Sequence, residues 1–280
     1  MIEQTFDVAG PVSAPAILLV HGSVVSRKMW LPQLRGLSDT YRVIIPDLPG
    51  HGALMHIPFT FAAAVDHLAD LIHQEARGHA LVTGLSLGGY VAIALANQHP
   101  DLVGGLVLSG CSHNFNGLLG IYLKAVVELM RRGWMKQSRE QVERKTRKMF
   151  PPALADVAEA QMTAGLSPQS LGPAFSEMTG KDFASMLARY PGPGLILNGE
   201  GDAASRRGEA TFVAAMRNGR AQAIPAAGHA CSLDQPELYN RAIREFGRTT
   251  RARARANSVA YGDLRRTHCF DGFGEHQRNE

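Results

Sequence analysis

The sequence predicts an α/β fold, with a mostly parallel central sheet flanked by helices and an inserted all-helical lid. Three observations lead there. Short apolar runs alternate with longer helical patterns along most of the chain. The runs are rich in leucine and β-branched residues without polar alternation, as strands covered on both faces are. One long stretch, from about Cys111 to Arg189, holds helical patterns and no convincing strand.

In chain order, the expected strands are Ala16–Val20, Arg42–Pro46, Ala80–Thr83, Leu106–Ser109, Gly194–Asn198 and Ala221–Ile224. The expected helices between and after them are Met29–Leu37, Phe61–Ala76, Ser86–Asn97, Arg206–Arg217 and Pro236–Phe246. Asp234 stands before the last of these as the expected N-cap, with Glu237 three residues on. Within the long stretch, Ile121–Arg132 is apolar on one side, and Ala153–Met162 and Lys181–Arg189 are further helices. Ser138-x-x-Gln141 has the pattern of a capping box, opening a helix that runs to Phe150 and stops at Pro151-Pro152. The expected organisation is a core of residues 1–110 and 190–247, a lid of 111–189, and a basic extension of 248–280 without fixed structure.

Bulk properties narrow the function classes. At 280 residues, 45% hydrophobic and 19% charged, the chain is an ordinary globular one. Its net charge is +4, but the stretch from Arg248 onward holds seven arginines against four acids, which leaves the body near neutral. No basic stripe of the kind nucleic acid requires is present, and Arg251-Ala-Arg-Ala-Arg255 reads as a solvated extension. No apolar stretch is long enough to span a bilayer, and residues 1–7 lack the basic and apolar regions of a secretory leader. Cys111, Cys231 and Cys269 are too few and too far apart for a disulfide framework or a zinc site, so a cytoplasmic location is expected. A monomer or homodimer is expected. Six of the ten methionines (130, 135, 149, 162, 178, 186) fall in the lid. Methionine adapts to varied apolar shapes, so they suit either an apolar substrate surface or a small helical core.

The chemistry centres on Gly84-Leu85-Ser86-Leu87-Gly88, where an apolar strand becomes a helix. A chain that changes so within one residue strains that residue and crowds its neighbours two positions away, which is where the glycines stand. The turn lifts the Ser86 hydroxyl above the sheet edge, at a helix N-terminus that favours an anion. A serine needs a base, and the base an orienting acid, on loops at the carboxyl ends of neighbouring strands. Most of the eleven histidines, including His67, His73, His79 and His99, read as structural or solvent-facing. His229 differs: it follows the last strand in the glycine-loosened loop Ala226-Ala-Gly228-His229. Gly199-Glu200-Gly201-Asp202 follows the preceding strand; Asp202, farther from the strand end, is the preferred acid and Glu200 the competitor. A tetrahedral oxyanion needs two backbone N–H donors. Leu87, just after the serine, supplies one. His21-Gly22-Ser23-Val24 supplies the other, with Ser23 the choice and Val24 the alternative, while His21 supports the loop.

With these motifs in order, the chain resembles the α/β-hydrolase superfamily across roughly residues 5–247. His21-Gly22 follows an early strand. Asp47-Leu-Pro-Gly50-His51-Gly52 comes next, then Gly84-Leu-Ser86-Leu-Gly88-Gly89, and finally Gly199-x-x-Asp202 with Gly228-His229. Ser86, Asp202, His229 is the family's order of nucleophile, acid and base. The resemblance implies ester hydrolysis through an acyl-enzyme, with no metal or organic cofactor and with Asp47 shaping a turn rather than acting in catalysis. Serine at the elbow argues against epoxide hydrolases and dehalogenases, which use aspartate there. Ala230 stands where the family's carbon–carbon hydrolases usually carry an aromatic. The expected substrate is a small or medium apolar carboxylic ester, thioester or lactone. Acyl transfer to an alcohol or peroxide, or ligand carriage without catalysis, are the rival readings.

Overall fold

The structure is a computed structural model that describes residues 4–133 and 138–267. Seven strands form one sheet: β1 (Phe6–Ala9), β2 (Ala16–Val20), β3 (Arg42–Pro46), β4 (Ala80–Leu85), β5 (Val103–Ser109), β6 (Pro193–Gly199) and β7 (Asn218–Ile224), in the order β1-β3-β2-β4-β5-β6-β7. All neighbours pair in parallel except β1, which runs antiparallel to β3. The mostly parallel sheet with a helical insertion is therefore as expected.

Successive side chains on a strand point to opposite faces, and here both faces are covered. On one side Leu18, Val20, Ile44, Val82, Leu106 and Ile196 pack beneath helices α2 (Phe61–Glu75), α3 (Leu87–Gln98), α8 (Phe183–Arg189) and α10 (Glu209–Ala215). On the other, Ile17, Leu19, Val43, Ile45, Val107 and Leu197 pack beneath α1 (Leu31–Leu37) and α12 (Pro236–Thr267). This double burial is why β2 to β6 read as unbroken apolar runs.

The differences from expectation have local causes. β1 is a four-residue edge strand of intermediate burial, too short, and interrupted by Asp7, to stand out as an apolar run. β7 begins three residues early because its outer residues face solvent on the other edge. The helix expected over 29–37 is a 3-10 turn at Arg27–Trp30 followed by α1, whose Pro32 sits in the first turn, where a missing N–H costs nothing. The helix expected over 206–217 is two, α9 (Ala203–Arg207) and α10, because Gly208 brings its backbone against the Ser112 carbonyl. Asp234 does not cap the last helix. It ends the short α11 (Cys231–Asp234), and its Oδ2 turns back to accept the Gly228 N–H at 2.8 Å. The stretch after Gly247, expected to lack fixed structure, continues α12 to Thr267; its arginines and alanines are strong helix formers, and the Arg251 guanidinium lies 4.9 Å over the Tyr41 ring. Residues 268–280 lie outside the described residues.

Between β5 and β6 lie α4 (Gly117–Arg131), α5 (Arg139–Arg147), α6 (Ala155–Ala164), α7 (Leu171–Met178) and α8. Both halves of the capping box at Ser138 and Gln141 are made, although α5 ends at Arg147, before Phe150. α7 was not expected: its Gly172-Pro173 reads as a break, yet proline is tolerated in a first helical turn. The insertion is anchored to the core by rings. Phe183, fully buried, lies 4.5 Å from Tyr90 of α3 and about 6 Å from Phe61 and Phe115.

Truncating that anchor, Phe183→Ala, is expected to cost about 3–5 kcal/mol, because the rings around it cannot close the space. Urea unfolding of the two proteins measures it; a loss under about 1 kcal/mol would show that the cluster is not an anchor.

Candidate active site

The chain passes from β4 into α3 through Ser86 alone. Its backbone sits at φ 54° and ψ −119°, a region that non-glycine residues rarely occupy. The turn is tight enough that a Cβ at Gly84 would overlap the Gly88 carbonyl, and one at Gly88 would overlap the carbonyls of Val20 and His21 on the neighbouring strand. The two glycines of the motif are therefore demanded by close approach. The Ser86 N–H is fixed to the Ser109 carbonyl at 2.8 Å. As the first residue of α3, Leu87 carries an N–H without an intrahelical acceptor.

His229 lies beyond the end of β7, and its ring covers the residue after Ser109. A Cβ on Gly110 would stand 2.6 Å from His229 Cε1. Gly110 is thus a site residue that sequence reasoning missed; the signal was a glycine just past a strand end. Its N–H is held by Asn198 Oδ1 at 2.8 Å. The loop that carries His229 is tied down by Asp234 and by a bond from the Gly201 N–H to the Ala227 carbonyl at 2.8 Å.

His229 Nδ1 donates to Asp202 Oδ2 at 2.8 Å, which leaves Nε2 as the basic nitrogen of the neutral ring. The Asp202 side chain is 6% exposed and that of His229 51%. Burial works against the Asp202 charge, but hydrogen bonds from Ser205 and His229 outweigh it and hold the carboxyl below its ordinary pKa. Asp202 Oδ1 also caps α9 through the Ser205 N–H at 3.2 Å. Glu200 is exposed, and among the described residues its carboxylate makes only a long contact, 3.5 Å, with the Ala226 N–H. Asp202 rather than Glu200 therefore reaches the imidazole. Among the described residues Ser86 Oγ makes no hydrogen bond of its own; such contacts commonly tighten only when substrate arrives.

The loop His21–Val24 lies beside the serine: a Cβ on Gly22 would fall 3.5 Å from Ser86 Cβ. His21 props it, donating from Nδ1 to the Gly22 carbonyl at 2.8 Å and accepting the Leu48 N–H at Nε2, 3.0 Å away. Burial keeps His21 neutral, lowering its pKa from 6.5 to about 4, and lowers that of His51, whose ring lies 5.0 Å away, to about 3. Asp47 is a turn organiser. Its carboxylate accepts the N–H groups of Arg27 and Ala53 and pairs with the Arg27 guanidinium.

From Ser23 and Val24 a cavity of about 880 Å³ extends under the insertion, lined by Val25, Val127, Met130, Val142, Met149, Leu171 and Phe175 among others. Met130 and Met149 line it, whereas Met178 is buried in the main core rather than in a separate helical one. Met135 lies outside the described residues. Among the described residues, no cluster of three or more His, Cys, Asp or Glu side chains could hold a metal ion.

The profile of the Alpha/beta hydrolase family matches residues 17–242, most of the chain. The chain belongs to the alpha/beta hydrolase family. An AB hydrolase superfamily protein of Gibberella zeae is 43% identical over 98 residues, which is 34% of this chain and 35% of that protein; the chain thus matches little more than a third of that relative's length. A pimeloyl-[acyl-carrier protein] methyl ester esterase of Neisseria meningitidis is 28% identical over 250 residues, covering 84% of this chain and 94% of that enzyme. Among solved structures, a malate-bound thermophilic esterase from Thermogutta terrifontis superposes with a TM-score of 0.71 and 30% identity, over 88% of this chain and 93% of the other. No helix among the described residues of this hydrolase-family chain is long and apolar enough to cross a membrane.

The two buried histidines make folding pH-dependent. Unfolded histidine titrates near 6.5, so between there and about pH 4 the unfolded chain binds more protons than the folded one. Stability is expected to be complete above pH 6.5 and to fall as pH drops, with His21 alone accounting for on the order of 3 kcal/mol. Urea midpoints from pH 7 to pH 4 measure the slope, and His21→Gln should flatten it.

Proposed function

We propose that the protein is a serine hydrolase that cleaves a small or medium carboxylic ester through an acyl-enzyme. The observation that carries this reading is the 2.8 Å contact of His229 with Asp202, set beside the strained Ser86 elbow. His229 Nε2 takes the Ser86 hydroxyl proton as Oγ attacks the ester carbonyl. The N–H groups of Leu87 and Ser23 hold the oxyanion. His229 then gives the proton to the departing alcohol, and the acyl group stays on Ser86. A water, deprotonated by the same nitrogen, releases the acid and restores the serine. Asp202 fixes the Nδ1–H tautomer and stabilises the charged ring.

The apolar cavity beginning at Ser23 supports an apolar acyl or alcohol group, and its volume falls in the usual range for small-molecule sites. The names of two of these relatives support the same chemistry: the Thermogutta protein is an esterase and the Neisseria protein a methyl ester esterase. The helices over residues 111–189 act as the lid of this site.

The reading is tested with a p-nitrophenyl ester series of rising chain length. Ser86→Ala is expected to lower kcat by about 10⁴-fold or more and to abolish labelling by a fluorophosphonate. Turnover that survived this change would sink the mechanism. Asp202→Asn is expected to lower kcat by on the order of 10³–10⁴-fold, while Glu200→Gln leaves it within about threefold. Loss of activity in the Glu200 variant alone would reassign the acid.

A further inference from the structure

The loop that carries Ser23 is gripped from two sides, and only one of them is the sheet. At its ends, His21 is bonded to Leu48, and the Arg27 N–H to Asp47 Oδ1 at 2.8 Å. Its middle is held by the insertion. Gln161 of α6 is fully buried, and its Oε1 accepts both the Ser26 N–H at 3.0 Å and the Ser26 hydroxyl at 3.1 Å. Its Nε2 donates to the Gly165 carbonyl at 3.0 Å. A few residues on, the Ser167 N–H donates to the Val24 carbonyl at 2.7 Å, closing an isolated antiparallel bridge.

Between these attachments Val24 has φ 73°, a left-handed conformation that a β-branched residue adopts only when its surroundings impose it. Reversing that φ would swing the two peptide groups that adjoin Val24 and, because the loop is held at His21 and Arg27, would displace Ser23 and its N–H with them. The strain is thus stored in the donor loop next to the serine, and the groups that hold it belong to the insertion. Gln161 lines neither the main cavity nor the smaller one beside it, so it does not meet a ligand there.

We infer that Gln161 is a positioning residue for the oxyanion site: by satisfying Ser26 twice, together with the Ser167 bridge, it keeps Val24 left-handed and the Ser23 N–H aimed at the reacting carbonyl. This rests on the serine-hydrolase reading. An oxyanion donor acts only within hydrogen-bond reach of the oxygen as it becomes charged. A displaced loop therefore weakens the transition state more than the bound ester, and the loss falls on kcat.

The test compares Gln161→Leu, which keeps the bulk and removes the acceptor, with Gln161→Glu, which keeps an acceptor oxygen. Each is assayed on p-nitrophenyl butyrate and with an alkyl trifluoromethyl ketone, whose adduct with serine mimics the oxyanion. Gln161→Leu is expected to lower kcat by about tenfold or more, part of the 10²–10³ that a whole donor supplies, with KM within about twofold. Ketone affinity should fall by a similar factor, and Gln161→Glu should recover most of both. Unchanged kcat, or a kcat loss without weakened ketone binding, overturns the inference. If Gln161→Leu does not fold, Ser26→Ala serves, since it removes one of the two bonds; about a threefold loss in both readouts is expected, and none overturns. Ser86→Ala separates the two levels. Ester turnover that persists in it removes the serine-hydrolase reading itself. A dead Ser86→Ala beside wild-type kcat in Gln161→Leu removes only the role of Gln161.

Discussion

The structure depends on a backbone contact with no room for side chains, where α3 starts against the end of β2. Gly88 meets the carbonyls of Val20 and His21, and Gly84 meets Gly88. Because these strands and the helix touch through backbone, the chain has to reverse its geometry at one residue, and Ser86 takes the strain. The same contact brings the His21–Val24 loop to the serine, and the pairing of β4 with β5 sets Ser109 and Gly110 on the other side. His229 rests on Gly110. The candidate site is thus assembled by strand neighbourhood, with each group delivered by a different strand end.

Polar groups around the site are held in fixed protonation states by burial and by partners. His21 is kept neutral so that one nitrogen donates and the other accepts, which a charged ring could not do. Asp202 is kept ionised by its donors despite its burial. Cys111, packed against Gly89 of the elbow helix, is buried and its thiol is pushed far above its ordinary pKa, so it stays inert beside the serine. Asp234 turns from the following helix to the loop before His229, where it satisfies the Gly228 N–H.

Much of this was legible in the sequence, and the parts that were not share a cause. Ala16–Val20 and Arg42–Pro46 coincide with their strands, because continuous burial on both faces writes an uninterrupted apolar run. Ser86, Asp202 and His229 could be singled out because each follows a strand beside glycines. Edge strands such as Phe6–Ala9 carry half the burial and half the signal. Gly110, Asn198 and Gln161 were invisible because their roles are contacts with residues distant in the chain; a buried glutamine has no local pattern. The split at Gly208 likewise comes from a neighbour, the Ser112 carbonyl, that sequence spacing does not record.

The insertion leaves the core near Phe115 and returns near Lys181, and its two ends are stitched together. The Phe115 N–H donates to the Lys181 carbonyl at 3.0 Å, and the Gly180 N–H to the Phe115 carbonyl at 2.7 Å. Everything from α4 to α7 therefore hangs from a closed neck, so exchanging that segment for another leaves the loop ends already joined. Such a cassette would bring a new cavity wall. It would also replace Gln161 and Ser167, and with them the grip on Val24. On the function and the Gln161 role proposed above, a graft that alters which ester fits would also alter how fast it reacts, unless the incoming segment restores an acceptor for Ser26.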